Sequence, residues 1–203
     1  MSADSADLAA DRGAVRSTSS PVLGMVLFVA SESMFFAAFF AILAMTYSSS
    51  KTWPPKGIPK PGLVVTGVAT ALIVISALAV HAGVSAIRRG QARRLVAFLV
   101  VTLVLGLAYA ALQLVELQDV GFGVESGPYA SLFYVLTGLA LAHVAGGVVF
   151  LGMLVYRTAS GQLAARRQDP AEAAAVYWYF VIIVAVVLYL AFYVLAAAHP
   201  KGG

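Results

Sequence analysis

Long apolar runs, interrupted by short polar islands, divide the chain into five segments at about Val22 to Tyr47, Gly62 to Ile87, Leu95 to Leu117, Pro128 to Tyr156 and Ala174 to Ala198. Each is long enough to cross a hydrocarbon core of roughly 30 Å as an α-helix with some tilt. The predicted fold class is all-α: a polytopic membrane bundle of five transmembrane helices within residues 21–203. Residues 1–20 carry Asp4, Asp7, Asp11, Arg12 and Arg16 among Ala and Ser, with almost nothing to bury, and read as a disordered cytoplasmic tail. The acidic start and full spanning length of the first run argue against a cleaved secretory signal. All eight prolines fall at helix ends or in loops, so no span is expected to be broken. Five uninterrupted spans, an odd number without an internal repeat, also argue against a transporter built from paired repeats of discontinuous helices.

Composition agrees with this pattern, at 61% hydrophobic and 11% charged. Nine of the thirteen basic residues (Arg12, Arg16, Arg88, Arg89, Arg93, Arg94, Arg157, Arg166 and Arg167) fall on one side of the membrane, and four (Lys51, Lys56, Lys60 and Lys201) on the other. The positive-inside rule then places the N-terminus inside and the C-terminus outside. The net charge of +4 is therefore a topology signal and not a nucleic-acid surface. The turn from Arg88 to Arg94 sets topology and suits anionic lipid as well. The absence of cysteine excludes disulfides, iron–sulfur clusters and thiolate metal sites.

Candidate chemistry begins with Glu32, the one charge within the first apolar run and roughly 15 Å along it. Phe35, Phe36, Phe39 and Phe40 share its helical face. An apolar surround disfavours the charged form of a carboxyl, so Glu32 needs a partner. His143, in the fourth span, lies at similar depth, and a hydrogen bond between the two would lower the cost of burying both. The alternative is that each is satisfied separately. His81 and His143 differ in depth by roughly 10 Å, which argues against a haem between them, and His199 reads as a solvated end residue.

Tyr109, Gln113 and Glu116 form a polar stripe on the third helix. It faces another helix, a partner or a lipid headgroup, or else Glu116 simply reaches interfacial water. Gly138, Ala142 and Gly146, with Gly147 alongside, mark a helix-packing face on the fourth span. Tyr177, Trp178 and Tyr179 read as an interfacial aromatic belt. Asp119 and Glu125, near Glu116, form an acidic outer loop that would attract a basic protein. No nucleophile–base pair, metal cluster or phosphate loop is visible, so the chain reads as an accessory subunit with no catalytic residue of its own.

The motifs in order resemble subunit III of haem-copper respiratory oxidases, in its five-helix form, from about Pro21 to the end. Ser31-Glu32-Ser33-Met34-Phe35-Phe36-Ala37 and Trp53-Pro54-Pro55 carry the resemblance in the first third. Leu105-Gly106 with Gln113 and Glu116, then Ser131-Leu132-Phe133-Tyr134, Thr137-Gly138 and His143-Val144 before Gly146-Gly147, carry it further, and Tyr177-Trp178 with Phe180-Val181 complete it. The chain departs from the family pattern at Ala140, where a second His is usual. It departs again across Tyr179 to Ala185, where His, Asp and a second Trp are missing. The family's polar cluster is thereby reduced to Glu32, His143 and Tyr179.

The resemblance implies an accessory, non-redox subunit of a respiratory terminal oxidase in a bacterial plasma membrane. It implies no cofactor or metal in this chain, haem and copper in partner subunits, and bound phospholipid. Oxidase subunit I and subunit II, membrane lipids and a larger respiratory supercomplex are the implied partners, with no nucleic acid. The complex would reduce oxygen to water with proton pumping, and this subunit would support subunit I stability and proton uptake. A subunit III-like component of a quinol oxidase or nitric oxide reductase, or a standalone lipid-binding scaffold, remains the alternative.

Overall fold

The computed structural model describes residues 20–162 and 168–198. Residues 1–19 of the expected tail, Arg166, Arg167, His199 and Lys201 lie outside these residues, whereas Ser20 already belongs to the first helix. The helices are α1 (Ser20–Ser49), α2 (Leu63–Arg88), α3 (Ala92–Asp119), α4 (Pro128–Ala159) and α5 (Asp169–Tyr189). A single 3-10 turn, Val124–Ser126, precedes α4, and the described residues contain no strand. All five helices are long and apolar enough to cross a membrane.

α5 is longer and less regular than its apolar run suggests. Asp169 and Glu172 lie in its first turn, where they complement the helix dipole, and Ala171 and Ala173 extend it ahead of the apolar run that begins at Ala174. At the other end it passes through a π turn, Leu190–Val194, and finishes with Leu195–Ala198. The extra residue of a π turn lets neighbours share the inner face, and Phe192 and Tyr193 are both buried there. Trp53 answers from the loop after α1. Its indole Nε1 donates to the Ala191 carbonyl at 3.3 Å, and its ring packs edge-on against Tyr47 and Tyr129. The Trp53–Pro54 peptide is cis. What reads in sequence as a loop marker is therefore part of the core.

α2 and α3 form the tightest pair, joined by a turn in which Gly90 adopts a left-handed conformation and Gln91 N–H reaches back to the Ala86 carbonyl. α5 then packs on α2, α1 and α4, and is the most buried helix of the five. α1 leans on α5 and α4 and is the least buried, with only Phe36 and Leu43 fully inside.

Trp178 sits where α2, α3, α4 and α5 converge. It is completely buried, and its Nε1 donates to Ser76 Oγ at 2.8 Å, which in turn donates to the Ile73 carbonyl. The far edge of the indole lies against Gly106 of α3 and Gly147 of α4, where a β-carbon would come within 2.6 Å and 2.7 Å of ring carbons. The expected interfacial belt is thus corrected: Trp178 is the central wedge and Tyr177 is buried beside it. Adjacent helical residues point about 100° apart, so three successive aromatics cannot all face one surface.

The small-residue face on α4 points away from the bundle. Gly138, Ala142 and Gly146 are exposed, whereas Gly147 is buried, and α4 packs inward through Leu136, Ala140, Val144 and Leu151. Spacing identifies a face but not the direction in which it points.

Gly106→Ala or Gly147→Ala should therefore destabilise the bundle by about 1–3 kcal/mol, the usual cost of overpacking. Gly138→Ala, which meets nothing within 4 Å, should be close to neutral. Thermal unfolding of the purified chain in detergent tests this, and equal effects at the three positions would contradict the wedge.

Candidate functional site

Glu32 projects from the middle of α1 toward α4, and its Oε2 lies 3.2 Å from His143 Nε2. The other ring nitrogen, Nδ1, is 2.8 Å from the Leu139 carbonyl one turn earlier on the same helix. A carbonyl only accepts, so Nδ1 carries a hydrogen. The Nε2–Oε2 contact then holds one proton between the groups, either as a carboxylic acid donating to a neutral imidazole or as an imidazolium donating to a carboxylate. Both arrangements have the same proton count and no net charge. This is how two ionisable groups can share a low-dielectric site without an uncompensated ion.

The walls around the pair are aromatic. Phe36, buried one turn along α1, packs edge-on to the His143 ring with centroids 5.2 Å apart, and Phe180 of α5 does the same at 5.8 Å. Tyr177 of α5 stacks on the imidazole and donates its hydroxyl to the His143 carbonyl at 2.9 Å. Phe28 and Phe150 close around Tyr177. Phe36 is the one member of the expected quartet that touches His143, because Phe35 is 49% exposed and pairs with Phe39. The remaining aromatics come from helices distant in sequence. The side chains of Glu32 and His143 retain 26% and 12% exposure, so the pair lies at the edge of the bundle and not at its centre.

Tyr179 does not join this site. Two residues beyond Tyr177, it is rotated about 200° around α5, and its hydroxyl lies 3.4 Å from His81 Nδ1 on α2. Of the Tyr-Trp-Tyr triplet it is Tyr177 that reaches His143. The helical rotation between 177 and 179 was available to distinguish them, but the direction of α4 was not. His81 itself borders a cleft with Ser85, Arg88 and Glu172, at the end of α2 where Arg88 and Glu172 form an ion pair at 2.9 Å.

The α3 stripe lies inside the fold. Tyr109, Gln113 and Glu116 are all buried, Gln113 donates to the Tyr193 hydroxyl at 3.3 Å, and Glu116 Oε1 accepts the Gly62 backbone N–H at 2.7 Å. Glu116 therefore caps the start of α2, and its carboxyl lies at the positive end of that helix rather than in interfacial water. Among the described residues no three His, Asp or Glu side chains are grouped so as to hold a metal ion.

Comparison with known proteins gives a consistent result. The family model described as cytochrome c oxidase subunit III matches residues 10–197. Cytochrome c oxidase subunit 3 of Xenopus laevis is 36% identical over 140 residues, covering 66% of this chain and 54% of the relative. The Synechocystis sp. protein of the same name is 31% identical over 137 residues, covering 68% of this chain and 59% of its own length. That of Cyprinus carpio is 35% identical over 176 residues, covering 84% and 67% respectively. The chain thus spans between about half and two thirds of the length of these curated relatives.

If Glu32 and His143 share a proton across α1 and α4, replacing either by Leu leaves the other unpaired. Replacing both should cost less than the sum of the single changes. The coupling expected in a double-mutant cycle is about 0.6–2 kcal/mol, the range for interhelical hydrogen bonds in membranes. Unfolding midpoints of the four proteins in detergent measure it, and strict additivity would mean that the contact contributes nothing.

Proposed function

The chain belongs to the cytochrome c oxidase subunit III family, and on that premise we propose that it is an accessory, non-redox subunit of a respiratory terminal oxidase that reduces oxygen to water with proton pumping. In this reading it packs beside subunit I, with subunit II in the same complex. It supports subunit I stability and proton uptake, and binds phospholipid. Haem and copper belong to the partner subunits. The protein sits in a bacterial plasma membrane with its arginine-rich end toward the cytoplasm, as the distribution of Arg88, Arg89, Arg93, Arg94 and Arg157 against Lys51, Lys56 and Lys60 favours.

The observation that carries this reading is the Glu32–His143 pair. It is a net-neutral, proton-holding unit in a membrane helix bundle, bordered by aromatics, with no nucleophile–base arrangement around it among the described residues. Such a pair influences a neighbouring proton path through its field and its proton affinity, and is not itself a reaction centre. The low burial of α1 supports the same reading, because Leu27, Met34, Ile42 and Met45 on its outer side face lipid or another subunit.

Purification of the tagged chain in mild detergent should yield a complex with a large subunit and haem bands in the visible spectrum. A colourless chain eluting alone would overturn the proposal. Within such a complex, Glu32→Gln should leave assembly intact and alter turnover, or its persistence over many cycles, at most a few-fold. Complete loss of oxygen reduction with every metal centre present would assign Glu32 a different role.

A further inference from the structure

Most hydroxyls inside this bundle have an evident partner. Thr70, Thr102 and Thr158 donate to the carbonyl one turn back on their own helices. Ser76 donates to the Ile73 carbonyl while accepting from Trp178, and Tyr177 donates to the His143 carbonyl. Two hydroxyls depart from this. Thr66 Oγ1 and the Tyr129 hydroxyl, in residues 3% and 0% exposed, are buried among the described residues without a hydrogen-bond partner. They are not scattered: Thr66 stands in the first turn of α2 and Tyr129 in that of α4, and Tyr193, in the π turn of α5, lies near both. The extra residue of the π turn brings Tyr193 inside next to Phe192, whose ring packs edge-on against Tyr129. The Tyr193 hydroxyl accepts from Gln113 Nε2 at 3.3 Å, which leaves its own hydrogen free to be donated.

We propose that a bound water molecule joins Thr66, Tyr129 and Tyr193, and through Gln113 closes a hydrogen-bonded network across α2, α3, α4 and α5 at the end of the bundle where α2 and α4 begin. A buried hydroxyl left unpaired costs its desolvation without return, and two in one neighbourhood point to a shared occupant. Water suits it, because a buried water brings two hydrogens and two lone pairs and typically makes about three bonds, as many as the hydroxyls gathered here. The donor set is wrong for a cation. Its members are neutral, and Glu116, the carboxylate on the same face of α3, is directed at Gly62, whose N–H it accepts at 2.7 Å and over which both of its oxygens lie. Trp53 and Phe122 pack against the Tyr129 ring, so the water is secluded from bulk solvent.

Hydroxyl radicals raised by brief X-ray irradiation form from bound water as well as from bulk, and so mark side chains beside an internal water. The full chain is irradiated in the assembly in which it purifies from mild detergent, and oxidised residues are read by mass spectrometry. Tyr129 or Tyr193 should be labelled several-fold faster than Trp178, an intrinsically more reactive ring that is equally buried and whose N–H is satisfied by Ser76. Thr66→Val keeps the side-chain shape and removes one partner of the water, so it should lower the tyrosine labelling several-fold. Thr70→Val, which removes a hydroxyl already spent on its own helix, should leave that labelling unchanged. Tyr129→Phe supplies a second reading by its sign, and it stands even if Thr66→Val fails to assemble. Removing a hydroxyl that water satisfies lowers the unfolding midpoint, whereas removing an orphaned one raises it. Tyrosine labelling no faster than that of Trp178, or equal with and without the Thr66 hydroxyl, would overturn the site. So would a Tyr129→Phe chain as stable as its parent or more so.

Discussion

A polar group that enters hydrocarbon needs a partner within the protein; in this bundle Ser33, Thr70, Thr102 and Thr158 bond back to their own helix, whereas several larger polar side chains reach another one. Trp178 of α5 donates to Ser76 of α2, Gln113 of α3 to Tyr193 in the π turn of α5, and Tyr177 of α5 to the His143 carbonyl of α4. The same holds for Glu32 and His143 between α1 and α4, and for Glu116 at the start of α2. Apolar contact alone discriminates poorly between helices when lipid tails are equally apolar. These few directional bonds therefore fix which helices meet and at what rotation, and the steric fit of Trp178 against Gly106 and Gly147 fixes how closely.

The site is a by-product of the same rule. His143 is held by its own helix through Leu139 and by α5 through Tyr177, so its Nε2 has one direction left, and Glu32 occupies it. The aromatic walls are contributed by three helices, which keeps the pair in a low-dielectric setting while the acid stays near the surface of the bundle. Proximity to the outside and insulation from water are thereby combined in one place.

Much of this could be read from the residues. The five spans follow from uninterrupted apolar length, and the Glu32–His143 contact from matching depth. Rotation about the helix axes could not be read in the same way. Tyr177 and Tyr179 are equivalent by composition and differ only in which neighbour lies at their azimuth. The Gly138, Ala142 and Gly146 face has the spacing of an internal contact and faces outward. The π turn at Leu190–Val194 leaves no mark in an apolar run, and Trp53 acquires its role only because that turn presents the Ala191 carbonyl to it. Periodicity encodes faces, whereas the pairing of faces depends on steric fit between segments far apart in the chain.

The placement of α1 has a consequence for how the molecule comes to be. Of these five helices α1 is synthesised before the others, yet its supports are α4 and α5, and Glu32 waits 111 residues of synthesis for His143. Until then its carboxyl must be satisfied by something else, whether its own backbone, interfacial water or an insertion factor. The seam between the earliest and latest helices is thus the last to close, and its closure requires every intervening span to be in place.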